Sequence, residues 1–213
     1  MLYATSTKKG TGVELFGEEN ALVNLHETLH FLCGSSESDL DRHEHALSLA
    51  YEIRKAFERQ RLCRSTEFGE LLGTQLTWPH LLFYTAYFRH LAGYRSTTKG
   101  HQDNLGALEN AVESALVEYD AKVGREVISL YPCIGSVASN FYAGYVEDIT
   151  YSWLYDSGSG KMRFRRLPAL VRALHIFSTQ YQQYAMMLER EAKKRGCSPH
   201  QLQDAREWPE IEW

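Results

Sequence analysis

Apolar residues return at steps of three and four in four separate stretches of this chain, and an α-helix with one buried stripe is what gives that spacing a common face. The stretches are Leu22, Leu25, Leu29 and Leu32; Ala46, Leu49, Ala50, Ile53, Ala56 and Phe57; Leu105, Leu108, Val112, Ala115, Leu116 and Tyr119; and Leu167, Leu170, Leu174, Phe177, Tyr181, Tyr184 and Leu188. A fifth helix is expected from Trp78 to Ala92, where Pro79 occupies a first-turn position and most sides are apolar. Gly34 and Gly196 stand where the first and last helices should stop. The final pattern is a heptad seam, so Pro168 to Arg195 is expected as the longest helix, packing along another.

Between these helices lie short runs with strand character. Met1 to Thr5 and Gly12 to Phe16 flank the turn-prone Lys8 to Gly12 and read as a hairpin. Leu62 to Thr77, broken by Gly69 and Gly73, reads as a second, weaker strand pair. Tyr151, Trp153 and Tyr155 alternate with smaller residues before Asp156 to Gly160, which points to a hairpin closing through Lys161 to Arg165. A helix over Asn140 to Tyr155 remains open, because Phe141, Tyr145, Ile149 and Ser152 also fall at helical spacing. Ser198 and Pro199 suggest the start of one more short helix. The acidic, aromatic segment Trp208 to Trp213 is expected to dock back on the domain or on a neighbour. The expected fold is α+β, a small antiparallel hairpin sheet packed on a mostly helical bundle with a long C-terminal helix. It forms a single domain over 1–213, with 135–213 as a candidate helical or hairpin extension.

Composition narrows the class of function. A net charge of −4 gives no overall attraction for phosphate backbones, which argues against nucleic acid as partner. No run reaches the 18 apolar residues of a membrane span, and the lysines near the start follow the apolar residues, unlike a secretory leader. Cys33, Cys63, Cys133 and Cys197 stand far apart, as buried free thiols of a cytoplasmic protein do.

One string names a chemistry. His26-Glu27-Thr28-Leu29-His30 matches the H-E-x-x-H zinc pattern, in which histidines four apart share a helix face and the glutamate serves as general base on a metal-bound water. A third ligand is required, and Glu52 is the best placed candidate, ahead of His45, His43 and Asp41. Glu52 shares a face with His45 and Leu49, and antiparallel packing would turn it toward the first helix. The competing reading makes both histidines edge residues of the leucine stripe. Asp39 to His45 is rich in ligand types, which at a helix start serve mostly as caps. Lys161, Arg163, Arg165 and Arg166 surround Phe164 in a compact basic patch able to grip a phosphate or an acidic partner, with a solvated face as the plainer alternative. P-loop, dinucleotide and serine-hydrolase motifs are missing from the sequence.

Three strings carry a resemblance. Thr11 to Gly17 followed by Leu22, Leu25 and His26, then Tyr51 to Phe57, then Trp78 to Phe83, resemble a bacterial family described only as a domain of unknown function, over about the first 95 residues. The resemblance implies no activity. It gives Glu52 and Arg54 a structural role, holding two helices together, and it does not require both histidines of the zinc pattern. The reading that follows is a non-enzymatic protein-interaction module without cofactor, dimerising through the Leu167 to Leu188 seam or the aromatic tail. The alternative is a zinc metallohydrolase with His26, His30 and Glu52 as ligands and Glu27 as base.

Overall fold

The computed structural model describes all residues except 35, 36, 68, 135–141, 156, 157, 200, 201 and 203–206, and for 37–42 it describes the backbone only. The first hairpin forms where expected, as β1 (Leu2–Ser6) and β2 (Gly12–Gly17), and the second as β3 (Leu62–Thr66) and β4 (Gly69–Thr77). All neighbours are antiparallel, in the order β1-β2-β4-β3. The central pair is close: Gly12 lies opposite Thr77 and Phe16 opposite Gly73. A Cβ on Gly12 would stand 1.9 Å from the Leu76 carbonyl oxygen, so the register demands glycine there.

Helices α1 (Glu19–Cys33), α2 (Glu37–Phe57), α3 (Trp78–Ala92) and α4 (Lys99–Tyr119) follow the apolar periodicities. Leu22, Leu25, Leu29 and Leu32 of α1 are all buried. α1 packs on α2, α4 crosses β1, and Asn104 of α4 donates to the Thr28 hydroxyl at 2.9 Å. Local chemistry sets the ends. The Thr98 hydroxyl accepts from the His101 amide and starts α4, and the Asp120 carboxylate accepts from the Lys122 and Val123 amides to start α5 (Ala121–Leu130). A 3₁₀ turn follows over Tyr131–Ile134. The buried apolar cluster runs continuously from Leu2 to Tyr181.

Two expectations change in the C-terminal third. The residues read as a hairpin form α6 (Tyr142–Tyr155) and the short α7 (Lys161–Phe164), while 135–141 and 156–157 lie outside the described residues. Tyr142, Tyr145, Val146, Thr150 and Trp153 are the buried positions, a helical set that overrides the alternation of Tyr151, Trp153 and Tyr155. The expected continuous helix from Pro168 to Arg195 is divided into α8 (Leu167–Ala173) and α9 (Thr179–Arg195), and the longest helices are α2 and α4 with 21 residues each. Ser178 makes the break: its hydroxyl accepts from the Tyr181 amide as a new N-cap and donates to the Ala173 carbonyl at 2.6 Å.

The seam is divided between core and surface: Leu167, Leu174 and Tyr181 are buried, whereas Phe177 is 78% exposed. Tyr181 packs on Tyr142 and Tyr145, and the seam residues lie on two helices rather than on one continuous helical face. The short helix expected from Ser198 falls largely on residues outside those described. Among the described residues the four cysteines form no disulfide, and only Cys33 is buried, whereas Cys63 and Cys133 are exposed. Among the described residues no helix is long and apolar enough to cross a membrane.

Candidate functional site

A cleft of about 400 Å³ opens between α2, β4, α3 and α6. Helical spacing supplies its walls: Ser48 and Glu52 lie one turn apart on α2, and His80 and Tyr84 one turn apart on α3. β4 contributes Thr74 to Thr77, α6 contributes Glu147, and Arg61 and Leu62 close one end. Ile211 and Trp213 of the tail line the remaining side.

Two carboxylates dominate its chemistry. Glu52 is chelated by Arg61 through Nε at 2.7 Å and Nη2 at 2.9 Å, and it also accepts from the Thr74 hydroxyl at 3.1 Å. The Arg61 hydrogen bonds hold its carboxyl below the usual carboxylate range against the opposing effect of burial. Glu147 sits between two imidazoles, with Oε1 at 3.2 Å from His80 Nε2 and 3.4 Å from His45 Nδ1. Burial alone would raise the Glu147 carboxyl, but the neighbouring His80 imidazole keeps it below its ordinary value. His45 is pushed down to about 4 by burial, so its ring is neutral at pH 7. At the cleft edge Thr77 is 5% exposed, precedes α3 without capping it, and among the described residues its hydroxyl has no hydrogen-bond partner.

The tail is seated on this cleft. Lys9 pairs with the Glu212 carboxylate at 3.2 Å, and the Thr11 hydroxyl donates to the Glu212 carbonyl at 2.6 Å. Trp208 meets Tyr151 edge-on with ring centres 5.9 Å apart.

The H-E-x-x-H residues lie elsewhere. His26 and His30 stack along α1 with ring centres 4.5 Å apart, His26 edge-on to Phe57, while Glu27 and His30 are exposed. Burial, then the neighbouring His30 and Arg54, lower the His26 imidazole. Glu52 does share a face of α2 with His45, but the carboxylate is turned to Arg61 and Thr74 in the cleft. His43 Nδ1 is 2.6 Å from the Tyr87 hydroxyl, and the Asp41 side chain is outside those described. Among the described residues no group of three or more His, Cys, Asp or Glu side chains is placed to hold a metal ion.

The basic patch is split. Lys161, Arg165 and Arg166 are exposed, but Arg163 is buried, donating to the Gly158 carbonyl at 2.7 Å and to the Thr11 hydroxyl at 2.6 Å. Of the residues that do converge, Glu52 and His45 were visible in the α2 periodicity. His80 lay in the tryptophan-proline string, and Glu147 had no signal of its own because its helix resembled a strand.

A family model described as a domain of unknown function, DUF6904, matches residues 2–213, so the likeness read in the first 95 residues extends over the whole chain. No curated protein and no solved structure matches the chain.

Proposed function

The chain belongs to the DUF6904 family, a domain of unknown function, and from its own geometry we propose that it is a non-enzymatic protein-interaction module whose cleft takes an extended segment of a partner. One observation carries this reading. Residues Glu207 to Trp213 have no helical or strand pairing, yet they are held beside the cleft by Lys9, Thr11 and Tyr151, with Ile211 and Trp213 lining its side. A surface that seats an extended, acid-flanked aromatic segment of its own chain has the features that would seat another: an apolar wall, a cation for the acid and a hydroxyl for the backbone.

A covalently attached segment competes at high effective concentration, so a free peptide binds best when the resident one is weakened. The test uses fluorescein-labelled EWPEIEW and the full chain carrying Ile211→Ala and Trp213→Ala. Anisotropy should report saturable binding to the variant and weaker binding to the unsubstituted chain. A folded variant that does not bind the peptide rejects the module.

A further inference from the structure

Although Ile211 and Trp213 close one side of the cleft, the cavity beside them remains open, and its polar groups are not satisfied by the tail. Among the described residues the Thr77 hydroxyl has no partner, and both imidazole contacts of Glu147 use the same oxygen, Oε1. The Glu147 side chain is 39% exposed and lines the cavity. Among the described residues no lysine or arginine pairs with Glu147, whereas Glu52 already has Arg61. The lining therefore carries one carboxylate more than it has guanidinium or ammonium groups to match. The His45 ring, neutral at pH 7, does not offset it, and the His80 contact is to Oε1.

Resting on the interaction-module reading, we infer that the partner segment inserts a lysine side chain into this cavity, its ammonium bonded to Glu147 Oε2 and the Thr77 hydroxyl. A lysine fits better than an arginine. A guanidinium binds a carboxylate through both oxygens, and here Oε1 lies within 3.4 Å of both imidazoles, whereas an ammonium is a point donor that needs one oxygen and can turn its other protons to a hydroxyl. Leu62, Leu76 and Tyr84 supply apolar surface for the methylene stem.

The test compares two labelled peptides on the full chain: EWPEKEW, the 207–213 sequence with lysine in place of isoleucine, and the same peptide with norleucine at that position. The resident tail competes equally with both, so the ratio of dissociation constants isolates the ammonium. The lysine peptide should bind about tenfold more tightly, the scale of one charge-assisted hydrogen bond, and Glu147→Gln should bring the ratio near one. Thr77→Val should narrow the ratio as well, and it carries the comparison if Glu147→Gln does not fold. Equal binding of the two peptides overturns the lysine site while leaving the module standing. A lysine preference that survives both substitutions also overturns it. Failure of either peptide to bind any form of the chain removes the module and this inference together.

Discussion

Arg61 grips both oxygens of Glu52, Nε at 2.7 Å and Nη2 at 2.9 Å, and in doing so turns the carboxylate away from the histidines of α1. A zinc site at His26 and His30 would have to break that chelate to gain its third ligand. We predict that protein purified without a metal-affinity tag, then exposed to zinc and dialysed, retains the same substoichiometric zinc as its His26→Ala, His30→Ala form. Elemental mass spectrometry measures this. Near one zinc per chain, lost in the double variant, would restore the hydrolase reading.

His45 makes stability depend on pH. Its folded-state value is pushed down to about 4, below the unfolded 6.5, so the unfolded chain takes up the proton first as pH falls. This contribution is intact above about pH 6.5 and is lost progressively toward pH 4, by up to about 3 kcal/mol. Glu147, depressed in the fold, shifts stability in the same direction as it titrates. Urea melts across that window should show the decline. The slope should be shallower in His45→Phe, whose ring suits neighbours Phe83 and Tyr84; an unchanged slope refutes the assignment.

Two glycines should respond in opposite directions. Gly12→Ala places a methyl 1.9 Å from the Leu76 carbonyl oxygen and should cost about 2 kcal/mol or more by forcing β2 from β4. Gly106, inside α4, has nothing within 4 Å of a new Cβ, and Gly106→Ala should gain about 0.5–1 kcal/mol through backbone entropy. Thermal melts of the two variants check the pair.

Arg163 and Arg165 separate structural from surface charge. Arg163→Met leaves the Gly158 carbonyl and the Thr11 hydroxyl short of a buried donor, which should cost about 2–3 kcal/mol. Arg165→Met changes an exposed side chain and should stay within about 0.5 kcal/mol. Comparable losses in chemical denaturation would show that the patch acts as one unit.

The helices that carry leucine stripes were legible because burial of one face leaves a period that no turn chemistry disturbs, as with Leu22 to Leu32. The two hairpins were legible from glycine-punctuated apolar runs. α6 was ambiguous because aromatic residues at 151, 153 and 155 also fit a strand, and only packing shows that Trp153 is buried while Tyr155 is 59% exposed. The heptad pattern spanned α8 and α9 because both bury apolar residues against the same body, but Ser178 interrupts the backbone between them. The cleft was not legible as a site. Its members come from α2, β4, α3, α6 and the tail, and no local pattern encodes that His45 and His80 meet at Glu147.

Thr11 has a consequence for the order of events during synthesis. Its carbonyl accepts from the Trp78 amide at 3.2 Å and the Trp153 indole at 2.8 Å, and its hydroxyl bonds Arg163 and Glu212. The turn between β1 and β2 is translated well before its partners, the farthest of them 201 residues further along the chain. Ribosome-bound chains halted near residue 95 should therefore hold this turn open to proteases, and protection should arrive only once the C-terminal third has emerged.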